Sequence, residues 1–333
     1  MSILNIQKML LSQQAMKLKD CHPELRSRLR FIPVNRMYNR FGLFILRRLL
    51  SLVFLISRTS KNVTYEDRSL INAGVRIYRP KIKTTSKIGV IWIHGGGMVS
   101  GNNTMDNRMC SRYVEELGAV VFSVDYRLAP ENPFPAGIDD CFEVWQWIQR
   151  NAEDFDICQQ AIIIAGQSGG GGLAASLAHR IFEFGGPQPI AQLLFCPMLD
   201  DQTARNRELD AIQHIGWNNR NNRAAWNWYF STDSLDLKRP KNSVAARRND
   251  LRGLPPTWLG IGDIDLFYEE TRLYAVRLKK AGVDVIFDVV PMAPHGFEVF
   301  APETELTKNY LARHFDSLRT LLVNTGKLQS ANL

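Results

Sequence analysis

The stretch AIIIAGQSGGGGLAASLAHRIF at residues 161–182 joins an apolar run to a helical pattern through a glycine-rich turn. Within it, residues 166–170 have the form G-x-S-x-G, with Ser168 at the centre. At a sharp strand-to-helix turn of this kind the serine is held in a strained conformation, with its hydroxyl above the sheet. A phosphate-binding loop or a plain turn is the alternative, but a Walker lysine is absent and G-x-G-x-x-G is not matched. We therefore predict that Ser168 is a nucleophile.

Apolar runs and helical stretches alternate on both sides of this turn. The predicted strands lie at 88–94, 119–127, 161–166, 191–199, 256–263 and 283–290. The predicted helices between them lie at 141–151, 173–184 and 271–281. Several strands are apolar on both faces, as strands covered by helices on each side must be. The alternation predicts an α/β protein with a mostly parallel, doubly wound sheet and helices on both faces.

Two segments do not follow this alternation: residues 1 to about 60, and residues about 200–245, which are rich in Asn, Arg and Trp. Open α/β sheets place their sites at the carboxyl ends of the strands. We expect both segments to be helical and to cover that edge. The predicted organisation is an N-terminal cap segment at 1–60 and a catalytic domain at 61–333, with a cap insertion at about 200–245.

A second glycine turn, His94-Gly95-Gly96-Gly97, follows the predicted strand at 88–94. Consecutive glycines at the end of a strand expose backbone N–H groups with no side chains in the way. Such donors can hold the oxyanion of a tetrahedral intermediate, together with the amide of Gly169. Taken alone the motif could be a flexible turn, but its pairing with the serine turn favours an oxyanion hole.

A serine hydroxyl needs a general base with a pKa near neutrality, and the chain has six histidines. His295 lies on a Pro-His-Gly loop directly after the last predicted strand, where the base is expected in this chain order. The other five fall in helical patterns, cap segments or the glycine turn. The carboxylate that orients His295 is Asp263 or Asp265, and strand alternation puts both on one face, so periodicity does not choose between them.

Five ordered motifs resemble those of the hormone-sensitive lipase family of esterases. They are HGGG at 94–97, DYRLAPENPFPA at 125–136, GQSGG at 166–170, DLFYEE at 265–270 and HGF at 295–297. The resemblance runs from about Arg79 to the C-terminus. It implies an α/β-hydrolase fold with a helical cap over the acyl pocket.

The resemblance also implies which residues act. It assigns the triad carboxylate to Asp265, leaving Asp263 to support the loop, and the oxyanion donors to Gly95, Gly96 and Gly169. This chain departs from the family at Gln167, where Asp or Thr is common, at Gly169, where Ala is common, and at Met98, where an aromatic is common. Gln167 removes a charge beside the turn, and Gly169 is expected to permit a looser one.

Composition excludes some functions and leaves others open. The residues are 45% hydrophobic and 22% charged, as in a globular protein with a large core. The net charge of +8 is read as a basic surface, because no nucleic-acid-binding module is visible and nucleic acid is not expected as a partner. The five cysteines lack disulfide or metal-site spacing, and the first residues lack the features of a signal peptide. We therefore expect a cytoplasmic protein without a metal.

The most apolar stretch, FGLFILRRLLSLVFLI at 41–56, carries Arg47 and Arg48 at its centre. Each charge would cost about 2.5 to 3.5 kcal/mol at the centre of a bilayer, so no stable membrane insertion is expected. The favoured interpretation is a helix over an apolar cleft with its arginines facing water. A peripheral helix at a membrane surface is the alternative.

The leading hypothesis is hydrolysis of short- to medium-chain carboxylic esters through an acyl-enzyme, without a cofactor. Ser168 attacks, His295 transfers the proton and Asp265 orients the imidazole. The expected partner is a small-molecule ester, and the oligomeric state is left open between monomer and homodimer. The alternatives are a non-catalytic receptor for a small ligand on the same fold, against which the complete set of motifs counts, and a membrane-associated lipase.

Overall fold

The protein was analysed as a computed structural model, in which residues 15–32, 39–55, 58–232 and 238–324 are described. The predicted cap segment at 1–60 therefore lies partly outside the described residues, and so do 233–237 of the predicted cap insertion.

The strands form one eight-stranded sheet in the order β1-β2-β4-β3-β5-β6-β7-β8. Their bounds are β1 Val63–Ser69, β2 Gly74–Pro80, β3 Gly89–Ile93, β4 Val120–Asp125, β5 Ile162–Gln167, β6 Ala191–Phe195, β7 Thr257–Gly262 and β8 Val285–Val290. The pairs β1–β2 and β2–β4 are antiparallel, and the five pairs from β4 to β8 are parallel. The order reverses beside β3, which places the carboxyl ends of β3 and β5 next to each other, as at the switch point where such sheets bind ligands.

Helices lie between and beyond these strands. Their bounds are α1 Pro23–Leu29, α2 Arg40–Leu55, α3 Asn107–Leu117, α4 Ala136–Arg150, α5 Gly169–Phe184, α6 Asn219–Phe230, α7 Tyr268–Lys280, α8 Phe297–Phe300 and α9 Glu305–Asn324. None of the helices in the described ranges is long and apolar enough to cross a membrane.

Successive residues of the central strands pack into two separate cores. In β5, Ile162 and Ile164 belong to the core that also contains residues of α4 and α5, whereas Ile163 and Ala165 belong to the core that contains residues of α3 and α9. Since side chains alternate along a strand, these are the two faces of the sheet. The predicted α/β fold, with a mostly parallel, doubly wound sheet and helices on both faces, is confirmed.

Some boundaries differ from those predicted. Helix α4 begins at Ala136, so Asp140 is inside it, where its carboxylate accepts from the backbone N–H of Arg127 at 2.7 Å and from its guanidinium. The β1–β2 hairpin was not predicted, because β1 is a polar edge strand with most of its side chains exposed. Its pattern lacks the double-sided apolar signal of the buried strands.

The expectation that both arginines of α2 face water is wrong for Arg47. Its guanidinium donates to the carbonyl oxygens of Val99 and Ala129, both at 2.7 Å, and pairs with Glu131 at 2.9 Å. These fixed acceptors suit the planar guanidinium and replace the water that it gives up. Arg48, the next residue, is exposed.

The buried carboxylate of Asp201, near the start of the segment between β6 and β7, clamps the end of that segment in place by binding two of its arginines. This carboxylate is fully buried and accepts from Arg247 Nε at 2.7 Å and from Arg239 Nε at 2.8 Å. A buried charge is tolerated only when its hydrogen bonds are satisfied, and here both oxygens have guanidinium donors.

We expect Asp201→Asn to lower the free energy of unfolding by about 3 to 5 kcal/mol, the range found when one partner of a buried ion pair is removed. The neutral amide leaves two guanidinium groups facing each other without a counter-charge. Urea titration followed by circular dichroism measures the change. The matched control is Asp250→Asn. The Asp250 carboxylate pairs with Arg252 at the surface, so its removal should leave the free energy of unfolding nearly unchanged. Equal stability of the two variants would contradict the clamp.

Candidate active site

Ser168 occupies a strained turn between β5 and α5. Its backbone has φ 53° and ψ −120°, a conformation that non-glycine residues rarely adopt. The turn is held by hydrogen bonds from Ser168 N to the carbonyl of Phe195 at 2.8 Å and from Met198 N to the carbonyl of Ser168 at 2.9 Å. A Cβ at Gly170 would lie 2.2 Å from the carbonyl oxygen of Ile93, so only glycine permits this approach to β3.

Ser168, His295 and Asp265 form one chain of hydrogen bonds. The Oγ of Ser168 lies 2.8 Å from His295 Nε2, and His295 Nδ1 lies 2.8 Å from Asp265 Oδ2. Their exposed fractions are 6%, 7% and 4%, respectively. The other carboxylate oxygen, Oδ1, accepts from the backbone N–H of Phe267 at 2.9 Å. The three residues singled out in the sequence thus meet, although they are up to 127 positions apart.

The two candidate carboxylates have different partners. Asp265 contacts the imidazole, whereas Asp263 Oδ1 accepts from the backbone N–H of Met292 at 2.6 Å. Met292 has a positive φ of 56° and lies in the loop that leads to His295. Burial raises the pKa of Asp263 above its usual value. Asp263 therefore braces the backbone of the histidine loop rather than the histidine ring.

The glycine turn after β3 packs against the serine turn. Among the described residues, no acceptor is bonded to the amides of Gly95, Gly96 or Gly169. Gly95 and Gly96 line the same cavity as Ser168. A Cβ at Gly169 would lie 2.7 Å from the amide nitrogen of Met98, so this glycine marks a close contact between two turns and not the looser turn expected from the sequence.

The buried side chain of His94 contacts the backbone of the glycine turn. It is fully buried, its Nδ1 lies 2.8 Å from the carbonyl oxygen of Gly95, and its ring stacks on Tyr126 with centroids 4.3 Å apart. Burial lowers the pKa of His94 to about 4, so the ring is neutral at pH 7. The Tyr126 hydroxyl donates to the His94 carbonyl at 3.0 Å, which links the DYRLAP motif to this turn.

Gln167, beside the nucleophile, connects the serine turn to the histidine loop. Its Nε2 donates to Glu298 Oε1 at 2.6 Å, three residues after His295. Glu298 is buried, and its burial raises the pKa of the carboxyl group. From the sequence, Gln167 was interpreted only as the loss of a charge, and Glu298 was not identified. The available signal was that Glu298 lies about one helical turn after His295.

Residues of the segment between β6 and β7 also contact His295. A Cβ at Gly216 would lie 2.4 Å from the carbonyl oxygen of His295, and the ring of Trp217 lies 6.5 Å from the imidazole. His214, treated in the sequence as a cap histidine, is buried nearby, and burial lowers its pKa to about 4. Phe267 also contacts the imidazole, with its ring edge to face and the centroids 5.2 Å apart.

Ser168 and His295 open into a cavity of about 630 Å³. Its walls are mainly apolar and include Phe41, Ile45 and Leu49 of α2 and Val299 and Phe300 of α8. This volume is within the range of pockets for small ligands.

One cluster in the described part of the chain has the composition of a metal site: Cys196, Asp265 and His295, whose ligand atoms lie within 4.8 Å of one another. Two of its members are already bonded to each other at 2.8 Å. Burial raises the pKa of the Cys196 thiol well above its usual value, which disfavours the thiolate that binds metals.

Several known proteins are similar to this chain in sequence and in structure. A family model described as alpha/beta hydrolase fold matches residues 90–299. Carboxylesterase NlhH of Mycobacterium tuberculosis is 31% identical over 243 residues, which are 70% of this chain and 73% of that protein. The structure called Bacterial Heroin Esterase has a TM-score of 0.84 at 27% identity, covering 92% of this chain and 99% of its own. Esterase LipW from Mycobacterium marinum has a TM-score of 0.81 at 29% identity, covering 93% and 98%.

The matched region contains the glycine turn after β3 together with Ser168, Asp265 and His295. The structural similarity extends beyond it to most of the chain. The chain belongs to the α/β-hydrolase family, on its hormone-sensitive lipase-like branch.

Proposed function

We propose that this protein is a serine carboxylesterase that hydrolyses short- and medium-chain esters through an acyl-enzyme. The observation that carries the proposal is the hydrogen-bonded chain from Ser168 through His295 to Asp265, which opens into an apolar cavity. The similar proteins are named as esterases, which supports ester hydrolysis as the reaction class.

In the first half of the reaction, Ser168 Oγ attacks the ester carbonyl carbon while His295 Nε2 takes the hydroxyl proton. The negative charge that develops on the carbonyl oxygen is stabilised by the amides of Gly95, Gly96 and Gly169, for which the described residues provide no acceptor. The tetrahedral intermediate then collapses, the alkoxide leaves with the proton from His295, and an acyl group remains on Ser168.

In the second half, a water molecule gives its proton to His295 and attacks the acyl carbonyl carbon. A second tetrahedral intermediate forms in the same oxyanion hole, and its collapse returns the proton to Ser168 and releases the carboxylic acid. Asp265 keeps the proton of the neutral imidazole on Nδ1, so Nε2 can act as the base throughout. No step calls for a cofactor.

The remaining features of the proposal concern the surroundings of the site. The segments at 1–60 and about 200–245 act as the cap, since α2 and Trp217 line the cavity. All five cysteines are free, which suits a reducing compartment such as the cytoplasm. The partner is a small ester, and no stable membrane insertion is part of the proposal.

We expect Ser168→Ala and His295→Ala each to lower kcat/KM by at least about 10⁴, because the members of a triad act as a unit. The rate of p-nitrophenyl butyrate hydrolysis measures the loss. Ser176→Ala, which changes a buried serine two turns further along α5, is the matched control and should keep near-normal activity. Comparable hydrolysis by the triad variants would refute the assignment.

We expect Asp265→Asn to reduce kcat far more than Asp263→Asn, because only Asp265 touches the imidazole and sets its tautomer. Asp263→Asn retains an oxygen that can accept from Met292 N and should act mainly on stability. Steady-state kinetics and the melting temperature of both variants separate the two effects. If the order of the kcat losses is reversed, the carboxylate assignment is wrong.

We expect selectivity to rise with acyl length and then fall, with an optimum at or below about eight carbons. Each methylene that fits contributes about 0.8 kcal/mol until the enclosed space is full. The measurement is kcat/KM on p-nitrophenyl esters from acetate to palmitate, below and above the solubility limit. A jump in rate on emulsified long-chain ester would instead indicate an interfacial lipase.

A further inference from the structure

The positive charge of the chain is concentrated at one end of the sequence. Residues 1–60 contain eleven Lys and Arg against two acidic residues, whereas the other 273 residues contain 30 against 31. The first sixty residues therefore account for the whole positive balance. A general basic surface, as read from composition, does not describe this distribution.

Helix α2 carries two parallel rows of side chains on its outer face. Phe41, Ile45 and Leu49 form one row at intervals of four residues, and their exposed fractions are 74%, 42% and 54%. The adjacent row, also at intervals of four, consists of Arg40, Phe44 and Arg48, with Phe44 52% exposed. Residues four apart lie on one face of a helix, so apolar and cationic side chains stand side by side.

The first row forms the rim of the active-site cavity. Phe41, Ile45 and Leu49 line the cavity that contains Ser168, and at the same time they are exposed at its edge. Val299 and Phe300 of α8 also line the cavity and are about 40% exposed. The cavity is thus lined in part by apolar side chains that remain exposed in the described part of the chain. Exposed apolar clusters of this kind mark docking surfaces.

The exposed arginines of α1 and α2 are Arg28, Arg30, Arg40 and Arg48. Arg28 and Arg40 lie close enough to Glu303 and Glu131, respectively, for electrostatic attraction. In the described part of the chain Arg30 and Arg48 form no salt bridge with a carboxylate. Instead, the guanidinium of Arg30 lies 4.6 Å from the ring centroid of Phe31, and that of Arg48 lies 5.1 Å from the ring centroid of Phe44. Helix α2 itself contains no acidic residue.

We infer that the outer face of α2 docks the enzyme on an anionic lipid surface, with the mouth of the active site facing the membrane. The apolar row enters the headgroup boundary, and the arginines bind the phosphates beside it. Arg47, which would oppose insertion, is turned into the protein and bonded to Val99 and Ala129. The docked enzyme receives small apolar esters that are dissolved in the bilayer, a point that rests on the proposed ester hydrolysis.

A second copy of the chain is a poorer occupant for this face. A two-fold dimer brings the same patch of both subunits together, so the unpaired arginines of one copy would face those of the other. Like charges at such an interface cost affinity, whereas the same charges gain it on anionic lipid.

The test is sedimentation of the full-length protein with vesicles of equimolar phosphatidylglycerol and phosphatidylcholine, and with vesicles of phosphatidylcholine alone. We expect binding to the anionic vesicles that weakens as salt is added, and much weaker binding to the neutral ones. Phe44→Ser/Arg48→Gln should weaken binding at least about tenfold, since one arginine near an anionic surface contributes about fivefold. Neither residue lines the cavity, so hydrolysis of dissolved p-nitrophenyl acetate should be unchanged.

The matched control is Lys81→Gln/Ile82→Ser, which removes one exposed cation and one exposed apolar side chain far from α2 in the sequence. Its vesicle binding should equal that of the unmodified protein. Equal losses in the two double variants, or no binding to anionic vesicles at low salt, would overturn the proposal. So would a dimer that Phe44→Ser/Arg48→Gln dissociates in the absence of any vesicle binding.

Ser168→Ala keeps this outcome separate from the proposed function. It should bind anionic vesicles as the unmodified protein does, because the docking surface does not include the nucleophile. Vesicle binding without ester hydrolysis by the unmodified protein would refute the esterase and leave the docking surface intact. Ester hydrolysis without vesicle binding would do the reverse.

Discussion

Backbone atoms at the turn between β5 and α5 approach neighbouring strands more closely than side chains allow. The turn presses on the end of β3, where a Cβ at Gly170 would overlap the carbonyl oxygen of Ile93. The strained backbone of Ser168 is held by hydrogen bonds with Phe195, the last residue of β6, and with Met198, which follows β6. The three adjacent parallel strands β3, β5 and β6 therefore hold Ser168 in position, and residues at the end of each strand surround it. The glycine turn after β3, whose Gly95 and Gly96 amides have no acceptor among the described residues, is in close contact with the serine turn.

Much of this arrangement could be predicted from the sequence, because its signals are local. A run of β-branched residues before G-x-S-x-G predicts both a strand and the serine that ends it, and the chain order then singles out His295. Alternation could not separate Asp263 from Asp265, since both lie on one face. They differ in their partners: the carboxylate of Asp263 accepts from the backbone N–H of Met292, in the loop before His295, and only Asp265 contacts the imidazole. Such a contact joins positions 29 residues apart and leaves no periodic trace.

The features that could not be predicted are those in which a polar group finds a distant partner. Nothing in the pattern of α2 indicates that Arg47 turns inward while Arg48 stays in water, because the acceptors of Arg47 are carbonyl groups of loops more than 50 residues away. The edge hairpin of β1 and β2 was missed for a related reason. Most side chains of β1 face solvent, so this strand lacks the hydrophobic signal by which buried strands are found.

The two parts of the cap are attached to the site in different ways. Gly216 approaches His295 so closely that a Cβ there would lie 2.4 Å from the carbonyl oxygen, whereas α2 lines the cavity into which Ser168 and His295 open. A change in the shape of the segment around Gly216 therefore alters the position of the base. Substitutions along α2 can reshape the substrate pocket without that cost. In evolution or in the laboratory, a substitution in the N-terminal helix can thus change the pocket without displacing the base. A substitution near Gly216, in the segment after β6, changes the position of His295 as well.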